Sequence, residues 1–328
     1  MTGALQWRPS DRTEVILDMV YSKFDQDRTD YALSSLNFDL VDSAGPTELI
    51  QGRYAIGQRI DVAAITDYFN ANRALFTRTV AARSGDYSVS EDVYAAYGQA
   101  TYALSDTFKL IGGLRYTDDK VTGDLTVSAV PGYFTYGTLL PYSGQVSADN
   151  VSGRIGGQFQ PSRDLMVYAT YASGYKGPAI DSLNGQIKRV KPETVDSYEL
   201  GVKSTLWDGR MTLNASIYRS DFTDFQAQAL DLTSASPRLG LTNAGLMRAQ
   251  GVEVETHVRI AQGLTIGGSV SYNDAQFKDY IGSCYTGQPT SAVVGQGCYI
   301  LPGTTATYVA NYSGQRLTNA PKWSYNLN

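Results

Sequence analysis

Few side chains in this sequence could carry out covalent or metal chemistry. Its 328 residues include a single His, His257, and two Cys, Cys284 and Cys298. A metal centre with several His or Cys ligands, or a His-based catalytic relay, needs more than this supply. Glu253 and Glu255 could imitate a catalytic carboxylate pair, but charges at alternate positions of a strand are ordinary. We therefore expect neither an enzyme nor a bound metal or cofactor.

Charge and apolar pattern limit the possible partners. The formal net charge is −5 and the pI is about 5.0, whereas nucleic-acid-binding proteins usually carry a basic surface. We therefore expect no nucleic-acid partner. No apolar stretch approaches the ~18 residues of a membrane helix, and the N-terminal residues lack the basic start and apolar core of a secretory leader.

Apolar and polar residues alternate in steps of two along most of the chain. In the segment 107–117, for example, one side carries Phe108, Leu110 and Leu114, and the other carries Lys109, Arg115 and Thr117. This pattern is typical of a half-exposed β-strand. Each such segment runs for about ten residues, the length that membrane-barrel strands need. Strands are predicted near residues 13–25, 92–104, 107–120, 149–160, 164–175, 196–206, 210–222, 247–260, 263–276 and 319–328, with a further strand over Met1–Trp7.

The connections between these segments are alternately tight and long. Tight turns such as Ser105–Asp106 and Trp207–Arg210 carry turn-forming residues. Long connections are predicted at about 26–91, 122–148, 176–195, 223–246 and 277–318. Long loops on one rim and short turns on the other are typical of bacterial outer-membrane barrels. A short helix is predicted over about 61–72 within the first long connection, from its Asp cap and apolar spacing.

Aromatic residues lie near both ends of the predicted strands. Amphipathic rings favour the two membrane–water interfaces, so we interpret these residues as two girdles around an apolar band. The girdle near the long loops comprises Tyr21, Tyr94, Tyr116, Tyr171 and Tyr272. The other ends carry Tyr102, Phe108, Phe159, Trp207 and Trp323.

Several sequence blocks occur in the order of one known family. They are Glu91–Gln99 followed by Leu110–Tyr116, then Tyr168–Lys176, Val190–Lys203, Gln250–Glu255 and Asn319–Ser324. Together they resemble the barrel domain of TonB-dependent outer-membrane receptors. The resemblance implies a ligand-uptake receptor in the bacterial outer membrane, in contact with outer-membrane lipid, with a ferric siderophore as the ligand. Uptake of a carbohydrate or cobalamin, or a passive porin-like or structural barrel, are the alternatives.

The chain also departs from the family pattern. Such receptors resemble barrels of about 22 strands that enclose a plug, and they reach TonB through that plug. Here about eleven meander strands are predicted, with no plug and no closing strands. We therefore expect an all-β chain, a single antiparallel partial barrel domain over residues 1–328, with short periplasmic turns, long extracellular loops and two open sheet edges.

Candidate site residues follow from this interpretation. Charged side chains on the polar face of the strands are expected to face the barrel lumen, where they hydrate the wall or contact a plug; they include Arg154, Glu253, Glu255 and Arg259. Aromatic and basic residues in the loops could hold an anionic iron chelate by stacking and charge; the candidates are Tyr133, Tyr136, Tyr142, Tyr175, Lys176, Arg189 and Phe225.

The two Cys lie in one predicted extracellular loop, with thirteen residues between them. In an exported protein this arrangement predicts a loop-closing disulfide between Cys284 and Cys298. The expected Cα–Cα distance is below about 7 Å. For a loop of this size the chain-entropy model assigns about 3 kcal/mol to the constraint.

Overall fold

A computed structural model describes residues 2–35, 80–129, 142–183, 186–232, 238–304 and 307–328. The strands in these ranges are β1 (Thr2–Ser10), β2 (Thr13–Ser35), β3 (Val80–Ala103), β4 (Phe108–Ala129), β5 (Tyr142–Ser162), β6 (Leu165–Lys176), β7 (Ala179–Leu183), β8 (Gln186–Val190), β9 (Glu193–Leu206), β10 (Met211–Thr223), β11 (Gln226–Asp231), β12 (Arg238–Asn243), β13 (Leu246–Ala261), β14 (Leu264–Asp279), β15 (Ile281–Ser283), β16 (Cys298–Ile300), β17 (Tyr308–Asn311) and β18 (Trp323–Leu327).

Eleven of these strands form one antiparallel sheet, as predicted. Its order is β1-β2-β3-β4-β5-β6-β9-β10-β13-β14-β18, so each strand pairs with the next sheet strand along the chain. Within the described residues β1 and β18 do not pair with each other, which confirms the open wall with two edges. No helix in the described ranges is long and apolar enough to cross a membrane. The helix predicted over 61–72 lies outside these ranges.

The first sheet strands are much longer than the sequence pattern predicts. β3 has 24 residues, which span about 80 Å, and β2, β4 and β5 have more than 20 each. They continue into the long connections predicted at 26–91 and 122–148. A strand that has left the lipid no longer needs an apolar outward face, so the alternation that identified the membrane segments fades there.

The last sheet strand is shorter than predicted. β18 begins at Trp323 instead of near residue 319. Pro321 has no backbone N–H to donate to a ladder, and Asn319 adopts a left-handed conformation with φ of 62°. The chain therefore turns before it joins β14.

One face of the sheet carries an exposed apolar band. Leu114 of β4 and Val151 and Ile155 of β5 retain 63–68% of their accessible surface, and such neighbouring apolar side chains would form an exposed apolar patch in water. Tyr94 and Tyr102 bound this band on β3, about 26 Å apart along the strand. That distance matches the apolar height of a membrane barrel. We call this the outer face, and the opposite face, which carries Arg154 and Glu253, the inner face.

The girdle near the long loops is ordered by ring contacts between neighbouring strands. Tyr21 stacks on Tyr94 with centroids 4.9 Å apart, and Tyr171 contacts Tyr198 at 5.2 Å. Trp323 contacts Tyr272 at 4.9 Å. Trp323 therefore belongs to this girdle and not to the opposite one, because the register of β18 pairs it with Tyr272.

Candidate functional site

Two hairpins, β7–β8 and β11–β12, lie beyond the girdle near the long loops, on the extracellular side. We call these two hairpins the cap. The sequence pattern predicted long connections here, at 176–195 and 223–246. The short strands escape periodicity analysis because five or six residues give too few alternations.

The β7–β8 hairpin packs against the inner face of β4 and β5. A Cβ added to Gly123 would lie 2.8 Å from the Ile180 side chain, and one added to Gly144 would lie 2.6 Å from that of Ile187. The hairpin thus reaches the sheet where these two glycines leave room for it. The Tyr87 hydroxyl also donates a hydrogen bond to the Ile180 carbonyl, at 3.0 Å.

An apolar core joins this hairpin to β4. Val121, Leu125 and Val127 are buried, as are Ile180 and Val190 of the hairpin. Each such side chain contributes roughly 1.5–3 kcal/mol when fully buried. These β4 residues occupy odd positions, whereas the exposed apolar residues of the same strand, such as Leu110 and Leu114, occupy even ones. The apolar side of β4 therefore changes from the outer to the inner face above the membrane.

Polar contacts link the two hairpins of the cap. The buried Gln226 donates from Nε2 to the carbonyls of Gly177 and Lys191, at 2.8 Å each, and these two residues flank β7–β8. Glu193 accepts from the Gln226 backbone N–H at 2.7 Å. Lys188 and Asp231 form an ion pair across the hairpins at 2.9 Å. The cap therefore behaves as one unit fixed to the ends of β6 and β9.

Below the cap, Asp119 lies buried on the inner face of β4. Burial and the nearby Glu91 and Asp118 carboxylates raise the pKa of Asp119 to about 6. Tyr175 lies close by, and burial together with the Asp119 carboxylate raises its pKa to about 12. The inner face next to the cap is thus a buried region rich in acidic groups.

A polar concavity of about 470 Å³ lies on the inner face within the membrane-spanning part of the sheet. Tyr168 donates a hydrogen bond to Glu199, and the Lys203 ammonium lies 5.9 Å from the Tyr168 ring centroid. Its lining includes Tyr168, Glu199, Lys203, Asn214, Ser216, Glu253, Glu255, Ser269 and Ser271.

The predicted lumen residues share this face by register. Glu253 pairs with Ser216, which pairs with Gly201 and then Tyr168. Glu255 follows two residues later and contacts His257 at 3.2 Å. Arg154 and Arg259 lie on the same face, and all four predicted residues are exposed. Their contact with a ligand or plug stays a prediction.

The predicted loop residues do not converge into one site in the described part of the chain. Tyr133 and Tyr136 lie outside the described ranges, and Tyr142 begins β5. Tyr175 is largely buried beside Asp119, whereas Lys176 is exposed.

Two other predicted residues have contacts within the protein. Arg189 donates to the Gln145 carbonyl at 2.7 Å. Phe225 packs between Phe222 and Phe277, with centroids 6.1 and 6.4 Å away. The sequence analysis missed Asp119, Glu193 and Gln226. Along β4 the apolar residues change from even to odd positions, and this change in the sequence could have indicated the region around Asp119. No sequence pattern near Gln226 indicates its role.

Cys284 and Cys298 form a disulfide with a Cα–Cα distance of 5.6 Å, as their spacing predicts. The bond joins β16 to the residue that follows β15, and both strands pair with β17. Tyr280, which precedes this small sheet, contacts Phe277 with ring centroids 4.6 Å apart. The disulfide therefore closes a compact extracellular module attached to β14.

A long-stranded antiparallel meander with an apolar band, aromatic girdles and folded loops on one rim defines an outer-membrane β-barrel wall. The family model described as TonB dependent receptor-like, beta-barrel matches residues 4–328. The chain belongs to this family, and it is a protein of the bacterial outer membrane.

Individual relatives agree with this assignment. The chain is 30% identical over 184 residues to the pesticin receptor of Yersinia pestis, a match that covers 55% of the chain and 25% of that receptor. The crystal structure of the ferric yersiniabactin uptake receptor FyuA from Yersinia pestis is similar in fold, with a TM-score of 0.59, 17% identity and coverage of 99% of the chain and 38% of FyuA. The crystal structure of the siderophore receptor PiuA from Acinetobacter baumannii is also similar in fold, with a TM-score of 0.60 and 15% identity. The match covers 98% of the chain and 41% of PiuA. The pesticin-receptor match thus spans about a quarter of that relative.

Proposed function

We propose that this chain forms part of the wall and the extracellular mouth of a receptor that imports a ferric siderophore. The cap is the observation that carries the proposal. Its β7–β8 hairpin folds onto the inner face above the membrane, where a ligand entering from outside would arrive. The similarity in fold to a ferric yersiniabactin uptake receptor supports iron uptake.

The mouth offers suitable groups for an anionic chelate. Lys176 is an exposed ammonium at the end of β6, and Arg189 lies on β8 of the cap. Charged groups of this kind attract an anionic ligand over distances of about a Debye length, roughly 8 Å at physiological ionic strength. By hypothesis these residues contact the ligand, and Tyr175 supports the wall behind them.

Direct binding tests the proposal. The purified chain in non-ionic detergent is titrated with ferric yersiniabactin, with cyanocobalamin and with maltohexaose, and quenching of its Tyr and Trp fluorescence is followed. We expect saturable quenching by the ferric chelate and none by the sugar. Saturable binding of maltohexaose or cyanocobalamin, with none of the ferric chelate, would show that the receptor takes another ligand class.

A pair of charge variants locates the binding surface. Lys176→Gln removes an exposed cation at the proposed mouth and should weaken binding of the chelate at least threefold. Arg163→Gln removes an exposed cation from the tight turn between β5 and β6, at the opposite rim, and should leave the affinity unchanged. Equal effects of the two variants would contradict a site at the cap.

A further inference from the structure

The connection between β6 and β7 lies against Asp119 on the inner face of β4. A Cβ added to Gly177, the residue that follows β6, would overlap the Asp119 carboxylate, so the backbone of the connection rests directly on this acid. The connection leads into the β7–β8 hairpin. The Gly177 carbonyl also accepts the hydrogen bond from Gln226 of the other cap hairpin. Asp119 therefore lies under the point where both hairpins of the cap are fixed to the sheet.

The Asp119 carboxyl group is buried without compensating hydrogen bonds. The residue retains only 3% of its accessible surface, and its Oδ1 has no hydrogen-bond partner. The hydroxyl of Tyr175, two residues before Gly177, is likewise buried and unpartnered. A negative charge in such surroundings is unfavourable, whereas the protonated acid is neutral and costs much less to bury.

The charged groups closest to Asp119 are carboxylates. Glu91 pairs with Val121 and Asp119 pairs with Val93, so the two acids are diagonal neighbours on the inner face of β3 and β4. Burial, Glu91 and Asp118 together raise the pKa of Asp119 to about 6. These neighbours therefore favour the protonated acid for the same reason as burial does.

Cations of the surrounding elements do not neutralise Asp119. In the described ranges, no Lys or Arg forms an ion pair with it. The nearby cations are exposed or bound to other groups: Lys176 is exposed, Lys188 pairs with Asp231, Arg189 donates to the Gln145 carbonyl, and Arg115 donates to Thr117. On β5, Asp149 adds a further negative charge near Tyr175.

We propose that Asp119 is a proton-controlled latch, which holds the β7–β8 hairpin in place while its carboxyl group is protonated and loosens it when the group ionises. Docking of the hairpin buries the acid and so favours the bound proton. Because the docked state raises the Asp119 pKa from 3.8 to about 6, docking is strongest below pH 4 and weakens as the pH rises through 6. The cap is therefore held more firmly at acid pH than at neutral pH, whichever ligand the receptor imports.

Amide hydrogen exchange in β7 and β8 at two pH values tests the latch. The full chain in non-ionic detergent is labelled at pH 5 and at pH 8. Exchange is expressed as protection factors, which remove the intrinsic pH dependence of the reaction, with the paired strands β13 and β14 as internal reference. We expect the relative protection of β7 and β8 to be about tenfold higher at pH 5, one pH unit below the pKa of the docked acid. Equal relative protection at the two pH values would overturn the proposal.

Two Asp residues of β4 provide a matched comparison. Asp119→Asn keeps the size of the side chain but cannot ionise, so relative protection at pH 8 should rise to the level at pH 5 and the tenfold difference should vanish. Asp124→Asn makes the same change at an exposed position on the outer face of the strand and should keep the tenfold difference. A difference that persists in Asp119→Asn, or that vanishes in both variants, would contradict the latch.

A second variant keeps the test decisive if Asp119→Asn does not fold. Glu91→Gln removes one neighbouring negative charge and should lower the Asp119 pKa, so the difference between pH 5 and pH 8 should shrink to about threefold. An unchanged or larger difference would contradict the proposal. Folding of each variant is checked by its heat-modifiable migration in detergent gels. No ligand is present in these measurements, so their outcome is independent of the titration with the ferric chelate.

Discussion

At the scale of single residues, side-chain hydrogen bonds to backbone carbonyls hold the cap together. Gln226 binds the carbonyls on both sides of the β7–β8 hairpin, and Asn243 contributes a further bond to Lys191 at 3.0 Å. None of these bonds follows a local sequence signal, because the partners lie tens of residues apart. They arise only when the hairpins from two different connections meet.

Replacing Gln226 with Leu should loosen the cap. The change removes the Gln226 hydrogen bonds to the Gly177 and Lys191 carbonyls, of which the second keeps Asn243 as a donor, at a cost of about 2 kcal/mol. Amide hydrogen exchange in β7 and β8 should therefore become about 30-fold faster. Gln228→Leu is the control, since Gln228 is exposed on the same strand, and it should leave exchange unchanged. A cap that exchanges no faster in the Gln226 variant would show that these bonds do not hold it.

At the scale of elements, the inner-face glycines determine where the cap docks. Gly123 and Gly144 admit the two Ile side chains of the hairpin. On the outer face, by contrast, Gly112 has no atom within 4 Å of an added Cβ. Glycine thus allows close packing of the hairpin at Gly123 and Gly144, whereas at Gly112 the space beside the backbone is open.

A methyl group at Gly144 should displace the β7–β8 hairpin. Gly144→Ala places a Cβ against Ile187, and overpacking of this kind costs typically 1–3 kcal/mol. We expect faster proteolytic cleavage within 177–192. Gly112→Ala is the matched control and should cleave at the wild-type rate. Equal cleavage of both variants would contradict a docked hairpin.

The disulfide should stabilise only its own module. In a Cys284→Ser, Cys298→Ser variant, loss of about 3 kcal/mol of chain constraint should speed amide exchange in β15, β16 and β17. Exchange in β9 and β10 should not change, because those strands pair only within the main sheet. Loosening of the main sheet to the same extent would mean that the module supports the wall.

The alternating pattern predicted the membrane part of each strand because lipid imposes an apolar residue at every second position. It predicted the eleven-strand meander and the tight turns for the same reason. The extensions of β2 to β5 and the cap strands were missed. Above the lipid the apolar side of β4 moves to the inner face at Val121, and the partner that covers it comes from another connection. The candidate site was the part least predictable from the sequence. Its residues come together only when the hairpins dock on the sheet, and no local sequence pattern specifies that docking.

At the scale of the whole molecule, the chain forms a membrane-spanning wall with one lipid face, one polar face and a folded extracellular rim. The exposed apolar band of Leu114, Val151 and Ile155 would be unfavourable in water, and the aromatic girdles mark its two limits. Charged inner-face residues such as Arg154 and Glu253 occupy the opposite side of the same strands. This orientation places the cap on the polar, inner face at the extracellular end of the wall.

Spin labels at three positions of β5 test that orientation most directly. Cys is introduced singly for Ile155, for Arg154 and for Ser143, with Cys284→Ser and Cys298→Ser as background, and the chain is reconstituted in lipid vesicles. Collision with oxygen should dominate for the label at 155, and collision with a water-soluble nickel chelate for the label at 154 on the opposite face. The label at 143 lies on the same face as that at 155 but about 40 Å further along the strand, so it should also be accessible to nickel. Equal accessibility of the labels at 154 and 155 to the nickel chelate would contradict the membrane-spanning wall. So would a label at 143 that collides mainly with oxygen, as a lipid-exposed label does.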